Sequence, residues 1–171
     1  MSMPKQKPHR SKQDYGTPDD LIQAVLKLLD VEAFAFDFAA SATNAKAADY
    51  WSVDDNSLMQ SPKDWALACV GGWGWLNPPF SNIGAWSLRC REAMLCGARI
   101  AFLVPASVGS NWYRDSINGH MGVRVLFLNG RPSFDGVAPF PKDCMLVLFN
   151  GAQRNRIFST EVWQWREKES R

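Results

Sequence analysis

The residues best suited to chemistry lie together in Trp73-Gly74-Trp75-Leu76-Asn77-Pro78-Pro79-Phe80. The alternation of Trp73 and Trp75 reads as a strand. It must stop at the two prolines, which fix their own φ and lack an N–H. Pro79 also holds Pro78 in extended geometry. Asn77 is thereby left at the carboxyl end of the strand, with a stiff turn beyond it. In an open α/β sheet that edge is where ligands bind. The turn offers a side-chain amide, a Pro78 carbonyl outside the ladder and the aromatic face of Phe80. Those groups suit a planar ring that carries an amino substituent.

Such an amino group is a weak nucleophile, because its lone pair is delocalised into the ring. The Asn77 side-chain oxygen and the Pro78 carbonyl can accept its two hydrogens from positions off the ring plane. Phe80 can stack on the ring, an interaction worth about 1–3 kcal/mol for a nucleobase. Orientation of this kind lowers a barrier substantially. The plainer alternative is a proline-rich turn that only closes a strand. Its setting, after a Trp/Gly strand and before a helix, favours the chemical reading.

Other residues carry weaker signals. Asp37 ends the apolar segment Phe34–Ala39 and precedes the small residues Ala39-Ala40-Ser41. Its carboxylate can meet an ammonium or a ribose hydroxyl, or cap a following helix. Asp54 and Asp55 can clamp a ribose, or serve only as turn formers. Thr17 suits an N-cap, Pro18 a first helical position, and Asp19 and Asp20 the positive end of the dipole. Tyr15–Pro18 can also border a ligand. Arg131 and Phe134 share a turn-rich loop and can hold phosphate and base, or form an exposed arginine beside a buried ring. Among eight tryptophans, Trp112 is the candidate for a site wall.

These groups need elements to hold them. Leu21, Val25, Leu28 and Leu29 recur at helical spacing and predict a helix over 18–29. Further helices are expected over 83–96, closed by Gly97 at C′, and over 111–117. Strands are expected over 34–39, 72–76, 100–104, 123–128 and 145–149. Asn44–Ala48 suggests one or two helical turns, Asp49–Val53 a short strand, and the segment from Glu161 a terminal helix. Strands separated by helices early, then two strands close together late, predict a three-layer α/β fold. Its mostly parallel sheet gains an antiparallel member near the C-terminus.

A chain of 171 residues fits one domain, expected over 14–158, with a charged segment over 159–171. Net charge is only +2, which does not by itself argue for nucleic acid. Lys5, Lys7, His9, Arg10 and Lys12 crowd the first 13 residues, which read as a basic flexible tail or a phosphate-contacting arm. The four cysteines lack a Cys-x-x-Cys spacing, and the histidines are His9 and His120. No metal site or disulfide framework follows, and reduced thiols suit the cytoplasm. The polar, proline-rich start argues against a signal peptide. No apolar run reaches the ~20 residues of a membrane span.

Taken in order, Tyr15-Gly16-Thr17-Pro18, Asp37-Phe38-Ala39-Ala40 with Asn44-Ala45-Lys46, Asn77-Pro78-Pro79-Phe80, Leu103-Val104-Pro105-Ala106 and Gly130-Arg131-Pro132-Ser133-Phe134 resemble the phage-type DNA N6-adenine methyltransferases, the Dam family of phages and prophages. The likeness spans about residues 13 to 150. It implies a Rossmann-like methyltransferase fold, S-adenosylmethionine as methyl donor, and DNA as partner in a bacterial cytoplasm. By likeness, Tyr15, Thr17 and Pro18 border the methionine part of the donor, and Asp37 and Ala39 occupy its loop. Asp54 or Asp55 supplies an acidic contact, and Asn77 borders the donor as well. Asn77, Pro78, Pro79 and Phe80 carry catalysis on a flipped adenine. Phe80, Trp112, Arg131 and Phe134 lie on the substrate side. Two departures stand out: the cofactor loop lacks glycines, and little chain remains for a separate target-recognition domain. DNA specificity is then either low or supplied by the loops at 106–122 and 131–143 and the basic tail. The same turn also fits cytosine N4, an RNA base or a protein glutamine amide. An inactive nucleic-acid-binding module is the remaining alternative.

Overall fold

The computed structural model describes residues 16–134, 136 and 138–166. Tyr15 and the basic tail lie outside the described residues. The elements are α1 (Asp19–Leu29), β1 (Phe36–Asp37), α2 (Pro62–Ala68), β2 (Gly74–Leu76), α3 (Ile83–Leu95), β3 (Arg99–Pro105), α4 (Asn111–Ser116), β4 (Val123–Leu128), β5 (Cys144–Asn150) and β6 (Ser159–Trp163).

The strands form one sheet of six in the order β1-β2-β3-β5-β4-β6. β1, β2 and β3 run parallel, and β4 runs parallel to β6. β5 is inserted antiparallel between β3 and β4. The carboxyl ends of five strands therefore gather on one edge.

Side-chain alternation along the strands sorts two cores, as a sheet covered on both faces requires. Ile100, Phe102 and Val104 of β3, with Met145, Val147 and Phe149 of β5, pack with Cys90, Ala93 and Met94 of α3 and Trp65 of α2. Ala101, Leu103, Leu146 and Leu148 point the other way, onto Leu21, Ile22, Val25 and Leu26 of α1. The result is three layers, α1 on one face and α2–α4 on the other. No helix among the described residues is long and apolar enough to cross a membrane.

Several elements differ from the expectations. The 34–39 strand shrinks to two residues, and the 49–53 strand to a single parallel bridge between Asp37 and Tyr50. Residues 44–48 form turns and bends, not a helix. Residues 161–163, expected to begin a terminal helix, belong instead to the edge strand β6. α2 was not foreshadowed, although Ser61 and Asp64 form a complete capping box ahead of it. Gly97, at φ 106°, follows the last residues of α3 as predicted.

Candidate active site

β2 ends at Leu76, and the Asn-Pro-Pro turn leads through a 3-10 turn, Phe80–Asn82, directly into α3. Asn77 is half-buried at that corner, and its Nδ2 donates to Thr17 Oγ1 at 3.0 Å. Thr17 is only 4% exposed. This corrects its expected role as an N-cap: Pro18 occupies the cap position of α1, and no side chain caps that helix. The hydroxyl fixes the Asn77 amide instead. With its nitrogen committed to Thr17, the amide turns Oδ1 the other way. Neither Asn77 Oδ1 nor the Pro78 carbonyl accepts a hydrogen bond from the described residues.

Asp37 organises the neighbouring loop from within. Its carboxylate, 2% exposed, accepts from the backbone N–H of Ala39 at 3.1 Å and of Lys46 at 2.9 Å. Burial pushes its pKa up, against the pull of those two hydrogen bonds and the Lys46 charge. Both ends of the loop 38–46 are thereby tied to one carboxylate. Asn44 Oδ1 accepts from Ser41 N at 2.6 Å, and Lys46 Nζ pairs with Asp19 at 2.9 Å, which fastens the loop to the start of α1. Beneath it, the Phe38 ring stacks on Trp65 with centroids 4.1 Å apart. Ser57 Oγ donates to Phe38 O at 2.5 Å, and Trp65 Nε1 donates to Ser57 O at 2.9 Å.

Between this loop, the 52–57 turn and Asn77 lies a cavity of about 290 Å³. It is walled by Phe38, Ala39, Ala40, Ser41 and Asn44 on one side, and by Asn77, Pro79 and Trp86 on another. Ser52, Val53, Asn56 and Ser57 close the third side. That volume sits at the lower end of small-molecule sites, roughly 300–1,000 Å³. A larger cleft of about 790 Å³ separates α1 from the end of β6, near Lys27, Trp163 and Trp165. Its strand-end amide, Gln164, is followed by no proline, whereas the smaller cavity adjoins the Asn-Pro-Pro turn and is the better match to the chemistry.

The structure brings Ala39 and Asn77 together around this cavity, with Thr17 behind Asn77 and Asp37 behind the loop. Asp54 and Asp55 are exposed and do not line it. The Asp55 carboxylate folds back onto Ser52 N and Oγ at 2.7 and 2.8 Å, and those bonds hold its pKa down. Ser52, Asn56, Ser57 and Trp86 line the cavity without having been singled out.

On the far side of the turn, Phe80 meets the loop between β4 and β5. Its ring is edge-on to Phe134 at 6.3 Å and to Phe140 at 5.7 Å. Arg131 in the same loop donates to Asp143 at 2.8 Å, with both side chains well exposed. Trp112 is half-buried, sits edge-on to Tyr113 and packs against Gly84 of α3. It does not line the cavity. All four cysteines are free, with Cys69, Cys90 and Cys144 buried and Cys96 exposed.

A parallel sheet with one reversed strand, a crevice at the strand ends and an Asn-Pro-Pro-Phe corner beside it define a Rossmann-like methyltransferase fold. The chain belongs to the DNA N-6-adenine-methyltransferase (Dam) family, whose model matches residues 5–161. A crystal structure described as a predicted O-methyltransferase from Agrobacterium tumefaciens is similar at 13% identity and a TM-score of 0.42, covering 84% of each chain. No curated protein is significantly similar in sequence.

Proposed function

We propose that this enzyme transfers a methyl group from S-adenosylmethionine to the N6 amino group of adenine in DNA, within the cytoplasm of a bacterial cell. The observation that carries the reading is the Asn77 corner. The amide nitrogen is spent on Thr17, while Asn77 Oδ1 and the Pro78 carbonyl stay without partners among the described residues. We assign the donor to the cavity beside that corner. Ala39, Ala40 and Ser41 leave the backbone open to close approach where a glycine-rich loop would do the same. Trp86 and the exposed Val53 offer apolar surface to a flat ring. Ahead of α1, Gly16 lies beside Asn44 and Thr17 backs Asn77, two of the residues that wall it.

When bound, S-adenosylmethionine supplies a methyl group on a positively charged sulfur, which is already electrophilic. The chain's own task is to present the amine. Asn77 Oδ1 and the Pro78 carbonyl accept the two N6 hydrogens and draw the lone pair out of conjugation with the ring. Pro79 keeps the two acceptors in fixed relation, and Phe80 stacks on the base. The N6 proton departs after transfer, so no strong base is required. The adenine reaches this corner by flipping out of the duplex. Arg131, freed from Asp143, contacts phosphate, and Phe134 lies on the DNA side.

The test is to give radiolabelled S-adenosylmethionine with DNA, RNA and protein side by side, then identify the labelled atom. Label on adenine N6 of DNA is expected. Asn77→Ala should abolish labelling while calorimetry still detects cofactor binding. Label confined to cytosine, RNA or glutamine would move the assignment to that substrate. A wild-type protein with no calorimetric response to the cofactor would instead be an inactive binding module. An Asn77→Ala protein as fast as wild type would overturn the catalytic assignment.

A further inference from the structure

Phe140 is mounted with unusual stiffness. It stands between Pro139 and Pro141. Pro139 fixes its own φ, and Pro141 confines Phe140 to extended geometry. The backbone N–H of Phe140 donates to Pro132 O at 2.8 Å, which ties the two limbs of the loop together. Ala106 N donates to Asp143 O at 2.8 Å, which anchors the loop to the end of β3. Trp165 Nε1 holds the loop's beginning through Gly130 O at 3.0 Å. A ring set in such a frame is part of the architecture of the strand-end edge.

The ring is aimed at Phe80. Phe80, Phe134 and Phe140 form a closed triangle with centroid distances of 6.3, 5.7 and 5.3 Å and interplanar angles of 71°, 68° and 83°. Phe134 and Phe140 also pack against the core under α1, so they connect that core to the Asn-Pro-Pro-Phe corner. No other aromatic ring pairs with Phe80 among the described residues. Edge-to-face packing fixes ring orientation more tightly than aliphatic contact, because the ring quadrupole rewards one geometry. Phe80 stands on a short 3-10 turn at a chain corner and has little else to hold it.

We propose that Phe140 is a positioning residue for the target base: it sets the plane of the Phe80 ring and forms the outer wall of the slot that receives the flipped adenine. The inference rests on the function proposed above and names a residue that the Asn-Pro-Pro-Phe motif does not contain. It also makes the loop between β4 and β5 a coupling device. Arg131 engages phosphate on the same short loop that carries Phe140, so backbone contact and base capture share one frame.

The test compares the full-length wild type with Phe140→Ala, Phe140→Leu and Phe140→Tyr. Base capture is read from the fluorescence rise of a duplex carrying 2-aminopurine at the target adenine. Methyl transfer is read separately as KM for DNA and kcat, and calorimetry follows the cofactor. Phe140→Ala should lose most of the fluorescence rise and raise KM for DNA roughly five- to tenfold, the effect expected from losing ring contacts. Cofactor affinity should stay at the wild-type value. Phe140→Leu keeps apolar volume without a quadrupole and should resemble Phe140→Ala, whereas Phe140→Tyr should restore base capture. Wild-type base capture in folded Phe140→Leu would overturn the proposal while leaving the function intact. Absence of adenine methylation by the wild type would overturn the function first, and this inference with it.

Discussion

Thr17 Oγ1 and Asn77 Nδ2 stand 3.0 Å apart across 60 residues of sequence. The contact joins the segment ahead of α1 to the corner after β2, and it fixes which atom of the Asn77 amide is left facing away from Thr17. Thr17→Val removes the acceptor while keeping the shape. The amide can then rotate, and kcat should fall by up to about 100-fold, the scale on which small misplacements act. Thr17→Ser keeps the oxygen and should stay near wild type. Steady-state methyl transfer by both variants, with calorimetry of the cofactor, checks this. Equal rates for Thr17→Val and wild type would remove Thr17 from the positioning of Asn77.

Asp37 links loop order to pH. Its pKa is raised by burial, so the folded protein binds its proton more tightly than the unfolded chain does. The protonated carboxyl is therefore favoured by folding. Its contribution to stability is complete below the ordinary value of 3.8 and is lost as pH rises through the raised folded value. Urea denaturation at several pH values should show that loss, and Asp37→Asn should flatten it. Asp37→Ala strands the N–H groups of Ala39 and Lys46 and should cost about 2–4 kcal/mol. It should weaken cofactor binding as well, since the loop 38–46 loses its tether.

Gly74 allows β2 to approach Phe38. A Cβ there would lie 2.3 Å from Phe38 Cε2, inside any tolerable contact. Gly74→Ala should destabilise the fold by about 1–3 kcal/mol, typical of overpacking. Because Phe38 also walls the cavity, cofactor affinity should fall in parallel. Thermal unfolding and calorimetry on the same preparation test both effects. An unchanged melting temperature would show that the ring can move aside freely.

Arg131 should matter for DNA far more than for folding. Its pair with Asp143 is largely exposed, and such pairs contribute no more than about 1 kcal/mol. Arg131→Ala should weaken DNA binding uniformly across sequences and lower the salt slope of log K by about 1. Titrations at several salt concentrations measure that slope. A slope identical to wild type would place Arg131 off the phosphate path.

Much of this architecture could be read from the chain because its signals are local. The periodicity of Leu21, Val25, Leu28 and Leu29 marks α1, and apolar runs closed by Pro105 and Gly130 mark β3 and β4. Gly97 marks the end of α3. Other features depend on distant partners. Residues 44–48 have helical composition, yet the Lys46 N–H is taken by Asp37 from nine residues earlier. The charges after Glu161 suggest a helix, but the Trp163 and Trp165 spacing fits a strand, and β4 offered an open edge. No helix was expected at α2, although Ser61-Pro62-Lys63-Asp64 carries a local signal for one.

The Asn77–Phe80 corner was equally plain as a motif, since two prolines after a strand leave little freedom. What surrounds it was not. Nothing local to Thr17 distinguishes a helix cap from a partner for Asn77. Asp54 and Asp55 had the right chemistry, but the cavity takes Ser52, Asn56 and Ser57 from the same turn. Phe140 carried a visible signal in Pro139-Phe140-Pro141, a stiff mount resembling the one that holds Phe80.

The distribution of thiols has a practical side. Burial pushes the Cys69 and Cys90 thiols up, and Cys144 rises to about 12. Cys96, exposed at the end of α3, is the one a maleimide will reach. α3 spans about 20 Å at 1.5 Å per residue, and its other end adjoins the Asn-Pro-Pro-Phe corner. A dye or resin attached at Cys96 thus leaves the working edge facing outward, so the native chain already contains an anchor for single-molecule or surface-based assays.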